Sequence, residues 1–254
     1  LAERLGLPFP ALEPAFDSLK AQQLSEVVGA SAMGSPSYVH RLTQTGRERA
    51  IMFLEGNKYT GIAPVPIDQY RRYMKQVRDR TSRPLTRDEV QRAFSHLVMT
   101  QAMLDQIGPA VSAGHSLFVY GPPGNGKTML SLAIRDLMLG DVFIPHALEV
   151  GGSIIQVFDP VTHTPVPVAS SDSLFDAPQP VDRRWVRCRR PLVMVGGELT
   201  LDALDLSYNR ISGFYRAPVQ LVANGGVLVV DDFGRQLCPP QALLNRWITP
   251  LESR

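Results

Sequence analysis

The sequence predicts an α/β fold built on a parallel sheet with flanking helices, preceded by a smaller α+β module. Three observations carry this expectation. Residues 121–128 read GPPGNGKT, a glycine-rich turn between a short apolar run and an amphipathic stretch. Val227–Val230 is a continuous apolar run ending in Asp231 and Asp232, the pattern of a strand buried on both faces of a parallel sheet. Residues 1–57 follow another rhythm: helix, strand, Gly/Ser loop, strand, helix.

In that first segment, PALEPAFDSLKAQQL places Leu12, Phe16 and Leu19 on one helical face. Val27 and Val28 end a first strand, Tyr38, Val39 and Leu42 mark a second, and Thr45 is the expected cap of a helix starting near Gly46. This order resembles the back half of a winged-helix domain. Such domains often read DNA, but the helix that would enter the groove offers Glu13, Asp17 and Lys20, and carboxylates are repelled by phosphates. The wing, Ala30 to Ser37, is equally poor in cations, so protein docking or packing is favoured.

Residues 58–66, KYTGIAPVP, read as a linker, and 58–83 as linker plus basic helical segment. Arg71, Arg72, Lys75, Arg78, Arg80, Arg83, Arg87 and Arg92 alternate there with Asp68, Asp79, Asp88 and Glu89, as on a solvated helix face. Thr86 with Glu89 three residues on predicts a capped helix running to about Ile107. Ser116–Tyr120 is a strand-like apolar run. After the glycine turn, Leu130, Ala133, Ile134, Leu137 and Met138 recur at helical spacing. Between the glycine turn and the acidic pair lies a long span, with a β-rich insertion expected at about 150–195. Its cluster Arg183, Arg184, Arg187, Arg189 and Arg190 around Trp185 suits nucleic acid or an acidic neighbour, and a surface ribbon pairing with acidic side chains is the favoured reading. Gly213-Phe214-Tyr215 resembles the aromatic pore loops of ring-forming ATPases but reads more simply as a packed aromatic pair.

The 254 residues suffice for one large or two small domains, and the net charge of +2 gives no global basic field. Cys188 and Cys238 lack CxxC or Cys/His spacing, which suits free thiols in a reducing cytoplasm. No apolar stretch approaches the roughly 18–20 residues of a membrane span. A cytoplasmic protein is expected. The start at Leu1 and the abrupt ending PLESR read as a piece of a longer chain.

The chemistry follows from residue types. Gly121, Gly124 and Gly126 let the backbone curl so that successive N–H groups face phosphate oxygens. Lys127 supplies charge for the β- and γ-phosphates, and the Thr128 hydroxyl is a Mg²⁺ ligand. The helix N-terminus adds partial positive charge. A carboxylate at the carboxyl end of a parallel strand projects into the ligand crevice. Asp231 is therefore the expected Mg²⁺ holder and Asp232 the group that orients or deprotonates the attacking water.

LFVYGPPGNGKT resembles the phosphate loop of AAA+ ATPases, and LVANGGVLVVDDFGRQLCPPQALLNRWITPLE resembles their second motif and following helix. Asn224-Gly225-Gly226, Pro239-Pro240 and Leu243-Leu244 fill places characteristic of MoxR-like and Mg-chelatase-like relatives. The resemblance spans about 84–254 and implies a P-loop NTPase (AAA+) parallel sheet with flanking helices behind the winged-helix-like module. It implies ATP and Mg²⁺ as cofactors, with Gly121, Pro122, Pro123, Gly124, Asn125, Gly126, Lys127, Thr128 and Met129 around the nucleotide, and Lys127 and Asp232 catalytic. It further implies a homo-oligomeric ring, commonly a hexamer, that remodels a protein client. A nucleic-acid-directed ATPase is the alternative and a nucleotide switch with little hydrolysis the third reading. Two departures stand out: Asp232 where the family usually has Glu, and no sensor, finger or lid motif. Arg235, Arg246 and Arg254 do not sit where a finger belongs. In the implied sheet order a sensor strand, expected beyond Arg254, separates 116–120 from Val227–Val230, so facing edges of those strands are expected to lie open.

Overall fold

The computed structural model describes residues 1–30, 38–81, 84–114, 116–119, 126–138, 140–167 and 182–252. Helix α1 (Ala2–Leu5) stops at Gly6, whose left-handed backbone closes it. Pro8 and Pro10 set the entry into α2 (Phe9–Ala21). On its inner face Phe16 stacks on Phe9 and on His40, at 6.1 and 4.4 Å between ring centres. Strands β1 (Ser25–Ala30) and β2 (Tyr38–Leu42) pair antiparallel, with a register shift between Val27 and Gly29; the tip, residues 31–37, lies outside the described residues. Helix α3 (Gln44–Gly56) is capped by Thr43 rather than Thr45. Thr43 Oγ1 accepts the Gly46 N–H at 3.0 Å and donates to the Gln23 carbonyl at 2.8 Å. That second bond, to the turn after α2, selects Thr43, because Thr45 already lies inside the helix.

Strand β3 (Val65–Pro66) leads into α4 (Ile67–Thr81), and then come α5 (Arg87–Ala93), α6 (Gln101–Ser112) and α7 (Lys127–Leu137). The β-rich region begins at Val142, earlier than the sequence suggested. It holds β4 (Val142–Pro145), β5 (Ala147–Val150), β6 (Ser153–Gln156), β7 (Trp185–Cys188), β8 (Leu192–Val195), β9 (Ser207–Asn209) and β10 (Phe214–Arg216). Helix α8 (Val219–Val222), strand β11 (Val227–Val230) and α9 (Pro240–Glu252) follow.

The 58–66 stretch is no simple linker. Val65 is fully buried, and β3 pairs parallel with β5 at the edge of a mixed sheet ordered β3-β5-β6-β10-β9. α4 then lays Tyr70 and Val77 onto Val142, Ile144 and Leu148, one apolar core shared with Ile155 and Cys188. The segment therefore gains by burying apolar side chains what its Pro/Gly composition hid. Phe214 and Tyr215 pack in β10 against Tyr59 and Tyr208, at 5.4 and 5.0 Å.

A second core joins α5, α6 and α7 through Val90, Phe94, Leu130, Ala133 and Leu137. The single helix expected from Thr86 to Ile107 is two. Thr86 and Glu89 form the reciprocal cap as expected. The helix then ends at Phe94, and Thr100 caps a second one by accepting the Met103 N–H at 3.3 Å. The fold-back lets Val90 rest on Gly108, where a Cβ would come within 3.0 Å of its methyl.

The third core, Val195, Leu199, Leu204, Cys238 and Leu243, lies beneath the parallel pair β8–β11, with α9 across it. Here the expected continuous parallel sheet is not seen among the described residues. β11 has β8 along one edge and no described strand along the other. Ser116–Val119 forms no strand, and Phe118 is 75% exposed. An apolar run becomes a central strand only when both edges pair with other strands, and among the described residues this run joins no sheet.

Candidate functional site

Gly126 has φ 71° and ψ 20° and stands at the N-cap of α7. That left-handed conformation is open to glycine without a Cβ penalty, and it turns the chain into the helix, the first intrahelical bond running from Leu130 N–H to the Gly126 carbonyl at 2.9 Å. Gly121, Pro122, Pro123, Gly124 and Asn125 lie outside the described residues. Lys127 opens α7, and Thr128 and Met129 are exposed on its first turn. Leu130, Ala133 and Leu137 are buried, with Ile134 packed beside them, so the apolar face holds α7 to α5 and α6. α7 also packs on β11.

At the far end of β11 the chain makes a tight acidic turn. Asp231 N–H still donates to the Val195 carbonyl at 2.8 Å, the last rung between β11 and β8. Its Oδ1 accepts the Asp232 N–H at 2.9 Å, while among the described residues Oδ2 has no partner. Asp232 is forced to φ 48°, a conformation that Asp tolerates better than most residues. Its carboxylate is exposed and lies 3.7 Å from Arg235 in a solvated pair.

Gln236 clamps this turn. Its Nε2 donates to the Asp231 and Asp232 carbonyls at 2.8 and 3.1 Å, and its Oε1 accepts the Gly234 N–H at 2.7 Å. Sequence reasoning missed Gln236 because a lone glutamine past an acidic pair carries no pattern. Glu198 was missed as well. It follows β8, its Oε1 accepts the Gly196 N–H at 2.9 Å, and backbone donors from Gly196 and from Glu198 itself hold its carboxyl below the usual range. The turns after β8 and β11 touch where Leu237 N–H meets the Leu199 carbonyl at 3.2 Å.

Phe118 and Phe233 bring the two motifs together. Their rings meet edge-on at 6.3 Å, so the segment entering the glycine turn lies against the acidic turn. Thr128 and Asp231 suit Mg²⁺, which takes one or two protein oxygens and completes its octahedron with water and phosphate. Asp231 keeps one carboxylate oxygen without a described partner, as that role requires.

Three arginines of the cluster, Arg184, Arg187 and Arg190, are engaged within the fold, while Arg183 and Arg189 are exposed. Arg187 pairs with Asp141, Nε at 2.7 Å, and Arg184 with Asp182, Nη2 at 2.7 Å, reaching Gln69 at 3.1 Å. Burial pushes the Asp182 carboxyl up, but the hydrogen bonds and charge of Arg184 outweigh it and hold it below the usual range. Arg190 donates from Nε to the Gly140 carbonyl at 3.1 Å and from Nη1 to the Gly225 carbonyl at 2.8 Å. Of the arginines set aside as fingers, Arg235 pairs with Asp232 and Arg246 with Asp205, and Arg254 lies outside the described residues. Among the described residues no helix is long and apolar enough to cross a membrane.

Residues 95–159 match the family model of magnesium chelatase, subunit ChlI, an AAA+ family. The match takes in α6, the glycine turn, α7 and the first strands of the β-rich region. No curated protein matches the chain. With the loop-to-helix geometry and the acidic turn beside it, the family match supports an AAA+ ATP-binding protein and ATPase as the coarse class of this chain.

Proposed function

We propose that the chain binds ATP with Mg²⁺ between the glycine turn and the acidic turn, hydrolyses it, and couples the cycle to remodelling a protein partner. The observation that carries this is the juxtaposition of the two motifs: Phe118 on Phe233, and α7 packed on β11. Backbone N–H groups of residues 121–126 cradle the phosphates, with Pro122, Pro123, Asn125 and Met129 shaping the loop around them. Lys127 neutralises charge on the β- and γ-phosphates. Thr128 and Asp231 hold Mg²⁺, which supplies Lewis-acid stabilisation of the transferring phosphoryl group. Asp232, its turn braced by Gln236, orients the attacking water. Catalysis on this reading is positioning plus electrostatics.

The chain acts as a ring, most simply a hexamer, in the cytoplasm, and the helix–hairpin–helix of residues 1–57 serves as its winged-helix-like protein-docking module. Arg184, Arg187 and Arg190, held by partners within the fold, disfavour the nucleic-acid-directed alternative. The test is ATP turnover and ring formation by the full-length protein, with Asp232→Asn as a trap. ATP retained without turnover, together with a co-purifying protein, supports the proposal. Hydrolysis unaffected by Asp232→Asn rejects the assigned role.

A further inference from the structure

A cleft of about 840 Å³ opens between α4 and the C-terminal ends of α6 and α7. It lies away from the nucleotide motifs. Leu137 and Met138 reach it from the end of α7, an 11-residue helix whose other end carries Gly126. Asn224 and Gly225 reach it from the start of β11, whose other end carries Asp231.

Two properties define the cleft. Its floor is aliphatic and thioether: Met74, Val77, Leu85, Val111, Leu137 and Met138. Its wall is cationic: Arg71, Lys75, Arg78 and Arg80 of α4 line it, and no Asp or Glu does so among the described residues. Arg71, Lys75 and Arg78 recur at i, i+4 and i+7, one stripe about 10 Å long. Asp68 approaches Arg71 only at 3.7 Å, in a pair that is mostly exposed, and such pairs contribute little; Asp79 stands 3.9 Å from Arg78.

We infer that this cleft docks an acidic amphipathic peptide segment of a partner protein. Carboxylates of the segment meet the α4 stripe while its apolar side chains cover the floor, the helix-in-groove mode of recognition. Met74 and Met138 suit a surface that must adapt to varied apolar side chains. Nucleic acid would use the cations but gain little from a floor that is mainly aliphatic and thioether, since bases stack on aromatic rings, and among the described residues Tyr70 is the one aromatic ring in the lining. The inference goes beyond the ATP reading and does not rest on it.

The probes are a phage-displayed random peptide library of about 16 residues, roughly four helical turns, and an oligothymidylate of about 20 nucleotides. Full-length protein is used for selection, with counterselection against the exposed triple variant Arg71→Glu, Lys75→Glu, Arg78→Glu. Selected peptides are expected to carry Asp or Glu beside Leu, Ile or Phe at helical spacing. They should lose about tenfold or more in affinity for the variant and about as much when scrambled. Lys127→Ala should bind them unchanged, which separates this site from the nucleotide site. Three results overturn the inference: no peptide that distinguishes the variant, selected peptides that bind equally when scrambled, or oligothymidylate that binds more tightly than any peptide through the same three cations.

Discussion

Replacing Arg190 by Met tests the central packing of the molecule. Arg190 is 8% exposed, and its Nε and Nη1 donors bridge the loop after α7, through the Gly140 carbonyl, to the entry of β11, through the Gly225 carbonyl. Methionine keeps much of the apolar bulk but donates nothing, so both carbonyls lose a charged partner. Hydrogen bonds to charged groups contribute about 1.5–3 kcal/mol each, and a buried group left unpaired costs a similar amount. Because Gly140 is exposed and water can reach it, we take a combined loss of about 3 kcal/mol, a large part of a typical 5–15 kcal/mol stability. For a chain of this size each kcal/mol lowers Tm by about 2–4 °C, so a fall of about 9 °C is expected. Arg190→Lys, which keeps a charge and can reach one carbonyl, should fall about half as far. Scanning fluorimetry with urea titration of the full-length protein measures both variants. A loss below about 1 °C for Arg190→Met would refute the bridging role.

Lys127→Ala should abolish tight ATP binding in a fluorescent-nucleotide titration while the melting curve stays nearly unchanged, since the lysine's proposed partner is the phosphate; retained affinity removes Lys127 from the site. Asp231→Ala should make nucleotide binding insensitive to Mg²⁺, and an unaltered Mg²⁺ dependence would show that the acidic turn does not hold the metal. Gly226→Ala should destabilise by about 1–3 kcal/mol in urea, because its Cβ would run into the Pro191 carbonyl oxygen and ring; a neutral effect would mean that β8 and β11 are not so closely set. Burial pushes the Tyr70 hydroxyl up to about 12, against the lowering effect of its hydrogen bond from Asn224. Its contribution to stability is therefore full below about pH 10, the ordinary tyrosine value, and declines between about pH 10 and 12; Tyr70→Phe should flatten that decline, and an unchanged alkaline profile argues against it.

The elements on either side of the candidate site were legible because they are local. A phosphate loop needs glycine where φ is positive, and Gly126 takes that conformation at the mouth of a helix whose buried face, Leu130, Ala133 and Leu137, is spaced as the sequence spaces it. The carboxylates of Asp231 and Asp232 follow an apolar run that does form a strand. The Thr86–Glu89 cap was equally readable, being a bond between residues three apart.

What depended on distant partners was not readable. Val65 sits in a Pro/Gly-rich stretch that looks like a linker, and only Leu148, far along the chain, makes it a buried strand. Ser116–Val119 looks like a strand, yet among the described residues it joins no sheet, and Leu117, Phe118 and Val119 stay exposed. Gln236 and Arg190 have no local signature, because each acts through carbonyls that the fold brings to it. The sequence by itself determined the left-handed glycine at the mouth of α7, the Thr86 cap and the strand ahead of the acidic pair, since glycine conformations, caps and apolar runs are properties of neighbouring residues. Tertiary structure alone decided which apolar runs are buried and which polar groups brace the acidic turn, because backbone pairing and desolvation belong to residues far apart in the chain.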